Sequence, residues 1–213
     1  MPKVTAEQSN ARRDEIINAC AKLYETTSFK DLTIKDIGNA TSFTRTSIYN
    51  YFQTKEEIFL ALIEREYDLW NADLTDVLEN NEKLSVEDFA DKLARSLEKR
   101  SVLLKIMSMN HYDMEENSRM ENLAQFKVAY GNSLRLVGLC LEKFFPAMGV
   151  NDVQGFLYVF FPFMFGIYPY TFVTDKQRKA METAKANYVF MSLYEITFSC
   201  VKNLLKNTNE VKK

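Results

Sequence analysis

The sequence predicts an all-α protein, with a small N-terminal head of three short helices and a larger body of long ones. Three observations carry this reading. Only six Gly and four Pro occur in 213 residues, too few for the closely spaced turns of an all-β chain. Apolar residues recur at helical spacing through most of the chain. A side-chain oxygen followed three residues later by an acid or Gln opens one such run after another, which is how helices commonly start. The pattern occurs as Thr33…Asp36, Thr54…Glu57, Ser85…Asp88, Ser118…Glu121, Asn151…Gln154 and Thr174…Gln177.

Taken in order, these starts and periods place helices at about 7–26, 33–40, 44–52, 55–80, 85–99, 101–111, 118–146, 152–168 and 175–206. The first three are short and joined by residues 28–30 and 41–43. They define a head over residues 1–54. The remaining helices define a body over 55–213, and the fourth helix joins the two without a flexible linker.

Composition excludes several classes. Cys20, Cys140 and Cys200 are odd in number and widely separated; they have no metal or redox spacing and are read as buried free thiols. His111 is the only histidine, with no paired nucleophile, so neither catalysis, a metal nor a cofactor is expected. The acidic run Asp113, Glu115 and Glu116 beside it is read as a solvated helix end. Residues 1–15 are polar and charged and lack the apolar stretch of a secretory signal. The run from Val153 to Thr174 is uncharged and long enough to cross a bilayer. It contains Pro162 and Pro169, has Asp152 and Asp175 at its flanks and lacks a basic N-terminal flank. It is read as a core or interface helix, and a cytoplasmic protein without a membrane partner is expected. The net charge of −2 is uneven: residues 1–55 hold eight Lys/Arg against six Asp/Glu, the remainder 19 against 23. A slightly basic head on an acidic body suits a protein that turns one end toward nucleic acid.

Residues 32–55 read LTIKDIGNATSFTRTSIYNYFQTK. Leu32, Ile34, Ile37 and Ala40 form the apolar stripe of one short helix, and residues 41–43 make a turn before Thr44 starts a second. In that second helix Ile48 and Phe52 share a face at i and i+4, while Arg45/Tyr49 and Thr46/Asn50 share the opposite one. Arg can fork onto guanine, Asn onto adenine, Thr methyls can meet thymine, and Tyr can donate to phosphate. This is the chemistry of a helix-turn-helix recognition helix.

The run T-x-x-D-I-x-x-A…T-S-I-Y-N-Y-F-x-T-K-E-E-I-F resembles the DNA-binding domain of the TetR family of bacterial repressors. Matching residues are Thr33, Ile37, Ala40, Ile48, Tyr49, Tyr51, Phe52, Lys55, Glu57 and Ile58. Arg13, Ile16, Ala19, Ala21 and Leu23 resemble the family's first helix, and Phe29, Leu32 and Thr33 the stretch that follows it. Ser42 and Thr46 depart from the family's usual glycines, and a serine at the turn is expected to bring modest strain or a different turn type. The resemblance implies a double-stranded DNA operator as partner. Arg45, Thr46 and Asn50 become candidates for base edges, and Tyr49, Tyr51, Lys55, Thr33, Lys35 and Thr44 for the sugar–phosphate side; the alternative for Tyr51 is a half-buried place against the first helix. Lys3, Arg12 and Arg13 are read as a basic arm or as simply solvated.

The resemblance also implies a body that binds a small-molecule effector and forms a homodimer through its last two long helices. The Phe-, Tyr-, Met- and Leu-rich stretches 152–168 and 175–206 support the dimer, with Phe190 and Phe198 as candidate contacts. The candidate pocket comprises Met107, Phe126, Tyr130, Leu134, Phe156, Phe160, Phe163, Met164 and Tyr168; these residues equally suit a plain core. Pro162 is a candidate kink. The expected function is therefore a sequence-specific DNA-binding regulator, in the first instance a repressor, released by a small, largely apolar ligand. The alternative is a DNA-binding protein of the same fold that takes no small molecule and acts architecturally or through a protein partner.

Overall fold

The computed structural model describes residues 5–210, and among them the chain is helical with no strand. The elements are α1 (Ala6–Tyr24), α2 (Ile34–Asn39), α3 (Arg45–Ile48), α4 (Lys55–Glu79), α5 (Val86–Glu98), α6 (Ser101–Glu116), α7 (Met120–Phe144), α8 (Val150–Thr171), α9 (Asp175–Thr183) and α10 (Leu193–Glu210). They fall into two compact units, one through Glu66 together with Asn110–Tyr130, the other Tyr67–Met109 with Gly131 onward. The boundary passes through α4, α6 and α7.

Capping fixes most of the helix starts. Thr5 and Gln8, and Thr33 and Asp36, form reciprocal boxes at α1 and α2. Thr54 accepts from the Glu57 N–H, Ser85 from that of Asp88, and Thr174 from that of Gln177. Two expected starts differ. The Ser118 hydroxyl has no partner, so that cap does not form. At α8 the cap is Gly149, whose N–H donates to Asp152 Oδ2 at 2.8 Å, two residues ahead of the expected Asn151.

In the first unit, Ile16, Ile17, Cys20 and Tyr24 of α1, Phe29 and Leu32 of the following turn, Ile37, Ile48 and Phe52 of the helix pair, and Ile58, Phe59 and Leu62 of α4 are all buried. Phe59 meets Tyr24 and Phe29 edge-on, with ring centroids 4.9 and 4.8 Å apart. Arg13 lies over the Phe52 ring and pairs with Glu64 at 3.5 Å, which is packing within the chain rather than an arm. Of the others in that reading, Arg12 is exposed on α1 and Lys3 lies outside the described residues.

The second unit is built around Trp70, Phe89, Leu93, Leu97, Leu104, Leu141, Phe160 and Phe161, all buried. α10 lies on α5 and α8. Leu193, Val201 and Leu205 bury its inner face. Tyr194 donates to Asp91 at 2.7 Å, and Lys202 pairs with Glu87 at 3.0 Å. α8 runs unbroken through Pro162 and Pro169. One face of α8 is buried at Val153, Phe156, Phe160, Met164 and Ile167, while Gly155, Tyr158, Pro162, Gly166 and Tyr170 are exposed at helical spacing. A Cβ added at Gly155 or Gly166 would meet nothing within 4 Å. By length and composition α8 is the one described helix able to cross a membrane; here it is half of a packed pair.

The expected helix over 175–206 is two helices. α9 buries no residue. It closes at Lys185, which takes a left-handed φ of 52°, the only positive φ among the described non-glycine residues. The Lys185 N–H bonds to the Glu182 carbonyl and the Ala186 N–H to that of Met181, a closure that usually places glycine where Lys185 stands. Extended chain follows to Ser192, whose backbone N–H and hydroxyl both donate to Glu195 to start α10. Cys20 and Cys140 are buried and free, and burial pushes their thiols up to about 12 and about 11; Cys200 is only partly buried.

Candidate DNA-binding site

The site begins with α2. Thr33 donates its hydroxyl and its backbone N–H to the Asp36 carboxylate and accepts the Asp36 N–H in return, and the two donated bonds hold the Asp36 carboxyl below the usual range. The Thr33 hydroxyl is thus engaged within the chain, while Lys35 beside it is exposed. After α2 the Thr41 hydroxyl donates to the carbonyls of Gly38 and Phe43, which fixes the turn. Ser42 donates both its backbone N–H and its hydroxyl to the carboxylate of Glu15 on α1. No left-handed backbone is needed there. The serine that replaces the family's glycine brings no strain and gains an anchor that glycine would lack.

α3 is one turn, shorter than the expected 44–52, and its chain continues as a turn in which the N–H groups of Tyr51 and Phe52 both bond to the Ile48 carbonyl. Thr, Ser, Ile and Tyr crowd this stretch, and these are weak helix formers. Ile48 and Phe52 face inward at 0% and 2% exposure. Thr44, Thr46, Tyr49 and Asn50 are exposed together, with Tyr49 at 44%. The Arg45 side chain lies outside the described residues.

Lys55 turns inward. Its Nζ donates to the carbonyls of Phe29 at 2.7 Å and Leu32 at 3.3 Å, and stands 4.3 Å from the centroid of the Phe29 ring. An ammonium has three donors, so these contacts fasten the chain before α2 to the start of α4 and leave a direction for a further acceptor. Tyr51 is half-buried, and its carbonyl accepts from Arg119. Two contributors, Glu15 and Arg119, were not anticipated from sequence.

The pocket residues divide between the units. Phe126 and Tyr130 belong to the first, where their rings lie 6.3 Å apart beneath Lys127. In the second, Phe156, Phe160 and Met164 are buried, with Phe160 packed against Phe156 and Phe163. The Tyr67 hydroxyl lies 3.3 Å from the sulfur of buried Met107. Leu134 lines a groove of about 280 Å³ with Val153 and Leu157. Tyr168 stacks on Phe172 at 4.4 Å, and burial pushes its hydroxyl pKa up. A groove of about 520 Å³ takes only Phe163 from the expected set and adds Gly166, Ile167, Tyr170, Tyr188, Val189, Met191 and Ile196.

Comparison with known proteins agrees with this geometry. Residues 16–62 match the family described as bacterial regulatory proteins, tetR family, and residues 64–197 match the tetracyclin repressor-like C-terminal domain. A curated relative, the uncharacterized HTH-type transcriptional regulator YfiR of Bacillus subtilis (strain 168), is 36% identical over 67 residues. That match covers 32% of this chain and only 33% of the relative. Among solved structures, FadR from Bacillus subtilis in complex with stearoyl-CoA superposes with a TM-score of 0.59 at 13% identity, covering 90% of this chain and 96% of that one. The fatty acid degradation regulator FadR from Bacillus halodurans gives 0.58 at 14%, covering 91% and 94%. At these identities the likeness is one of fold. With its helix-turn-helix and its body each matching the corresponding family domain, the chain belongs to the TetR family of bacterial transcriptional regulators.

Proposed function

We propose that the chain is a homodimeric, cytoplasmic repressor, not an enzyme, that leaves its operator when a largely apolar molecule occupies its body. The observation that carries the DNA reading is the shared exposure of Thr44, Thr46, Tyr49 and Asn50 on a turn fixed by buried Ile48 and Phe52. In this reading Arg45, Thr46 and Asn50 address base edges. Tyr49, Thr44 and Lys35 meet phosphates, and so do the free N–H groups at the starts of α2 and α4, beside Thr33, Tyr51 and Lys55. The expected result is that the chain enriches one palindromic sequence from a random duplex pool. Asn50→Ala then loses about 1–3 kcal/mol and relaxes selectivity at one position. Lys35→Ala weakens all sequences alike and flattens the salt dependence by about one phosphate. A chain that enriches no sequence overturns the reading.

The ligand reading is supported by the 520 Å³ groove, whose lining is almost wholly apolar and whose size lies within the usual range for small-molecule sites, about 300–1,000 Å³. That a structural neighbour is solved with stearoyl-CoA makes long-chain acyl thioesters the first class to try. Stearoyl-CoA is expected to raise the melting temperature and to weaken operator binding in the same concentration range. The coupling must be reciprocal, so a compound that stabilises the chain but leaves operator affinity unchanged argues against effector release. The ligand-free alternative has its own support: Phe156, Phe160 and Met164 are buried and pack against their neighbours as an ordinary core. Failure of every acyl thioester to bind would favour it.

A further inference from the structure

Glu57, on the first turn of α4, is a carboxylate with a side-chain exposure of 1%. A buried charge is tolerated only when it is paired and its lone pairs are filled, and here they are filled by one distant residue. Arg119, between α6 and α7, donates to Glu57 through Nε at 2.7 Å, through an η nitrogen at 2.9 Å and through its backbone N–H at 3.1 Å. The Gln53 N–H supplies a fourth bond at 2.7 Å. Burial alone would push the Glu57 carboxyl up; these donors more than offset it and hold it below the usual range.

The same guanidinium extends past Glu57 to the Tyr51 carbonyl at 3.3 Å, and the Thr54 hydroxyl donates to the Asn117 carbonyl at 2.9 Å. Residues 51–57 are therefore tied at several points to residues 117–119. Residues 51–54 lie in the connection 49–54 between α3 and α4, and α3 is a single turn whose orientation depends on what packs against it and bonds to it. Nothing in the helix-turn-helix motif requires this outside support.

We propose that Arg119 is a positioning residue for DNA recognition: anchored on Glu57, its guanidinium holds the Tyr51 carbonyl and so sets the angle at which α3 leaves α4. The proposal rests on the DNA-binding reading above. It makes the α6–α7 junction part of the DNA-reading apparatus, so that any event displacing residues 117–119 is felt at the recognition face.

The test uses the full-length chain and the duplex it enriches from a random pool. Arg119→Ala is expected to lower affinity about tenfold or more, since it strands a buried carboxylate. Arg119→Lys keeps the cation beside Glu57 but cannot fork to the Tyr51 carbonyl. It should fold as wild type, lose about threefold in affinity, and show faster hydrogen exchange at the Tyr51 and Phe52 amides. The neutral pair Glu57→Gln/Arg119→Met should match Arg119→Ala in affinity while recovering its melting temperature. Arg100→Ala, which removes a partner of Asp73 in the other unit, provides the control: a comparable loss of melting temperature with unchanged DNA affinity. The proposal is overturned if Arg119→Lys matches wild type in both affinity and exchange, or if Arg100→Ala loses as much affinity as Arg119→Ala. If the wild-type chain enriches no duplex, it is the DNA-binding reading that fails, and exchange at residues 51 and 52 alone decides the positioning.

Discussion

Trp70→Ala is expected to lower stability by about 3–5 kcal/mol, the range for removing a buried Trp or Phe side chain. Trp70 is wholly buried in the second unit, between the rings of Tyr67 and Phe161 at 6.3 and 5.9 Å. Its indole N–H donates to the buried Ser96 hydroxyl at 2.9 Å, which itself donates to the Leu93 carbonyl at 2.8 Å. Truncation leaves a void and also removes the indole donor directed at Ser96, but Ser96 keeps its own bond, so the cavity dominates. For a chain of this size each kcal/mol moves the melting temperature by about 2–4 °C. Trp70→Phe keeps most of the packing and should lose about 1–2 kcal/mol. Urea melts followed by circular dichroism suit both variants, since Trp70 is the only tryptophan and its fluorescence is lost with it. A loss under about 1.5 kcal/mol for the alanine variant would mean that the body collapses around the gap.

Tyr158→Glu is expected to convert a dimer into a monomer of about 24.8 kDa and to reduce operator affinity about a hundredfold or more, as a half-site reader loses its partner. Tyr158 is 77% exposed in the single chain. It belongs to the exposed α8 stripe formed with Gly155, Pro162, Gly166 and Tyr170. A contiguous apolar stripe of this kind marks an interaction surface. In a two-fold dimer each substitution enters twice, placing carboxylates where apolar surfaces meet. Because the side chain is exposed, the fold of the monomer should survive. Phe190 and Phe198, the aromatics first considered for this role, serve less well: Arg178 lies 4.4 Å from the centroid of one ring, and Tyr194 stacks on the other at 5.7 Å. Light scattering at micromolar concentration checks the outcome. A Tyr158→Glu chain that remains a dimer with full DNA affinity would move the interface away from α8.

What was legible in the sequence was local. The caps at Thr33, Thr54, Ser85 and Thr174 are contacts over three residues, and each is made. The exposed face of α3 follows from the i, i+4 placement of Ile48 and Phe52. The break between α9 and α10 was also written in the sequence, as Ser192 three residues before Glu195. The apolar run Tyr188–Met191 carries helical character across it, and a lysine in the left-handed closure gives no warning where glycine would have. The supports of the site are another matter. Glu15 reaches Ser42 over 27 positions, Lys55 reaches Phe29 over 26, and Glu57 meets Arg119 over 62. No spacing rule encodes such pairs, because only the packed tertiary structure brings the partners together. The candidate pocket residues separate for a related reason: aromatic composition locates apolar surface but does not say which rings turn inward and which line a groove.

If the body takes a ligand as proposed, the stretch from Asp175 to Ser192 bears on how it does so. α9 buries none of its side chains, and the extended chain after it is largely exposed, Val189 to 77%. Local opening of such a segment lies at the low end of a protein's free-energy ladder, far below the unfolding of the α5–α10 pair. Tyr188, Val189 and Met191 nevertheless form one wall of the groove of about 520 Å³. In the ligand reading proposed above, the capacity of that groove would be set by an equilibrium rather than by a fixed boundary. A bulky guest needs only the population in which this wall has drawn back, and its apparent affinity is reduced by the scarcity of that population. Substitutions in this segment would thus retune which guests are admitted, and how quickly, while the hydrophobic core keeps its melting behaviour.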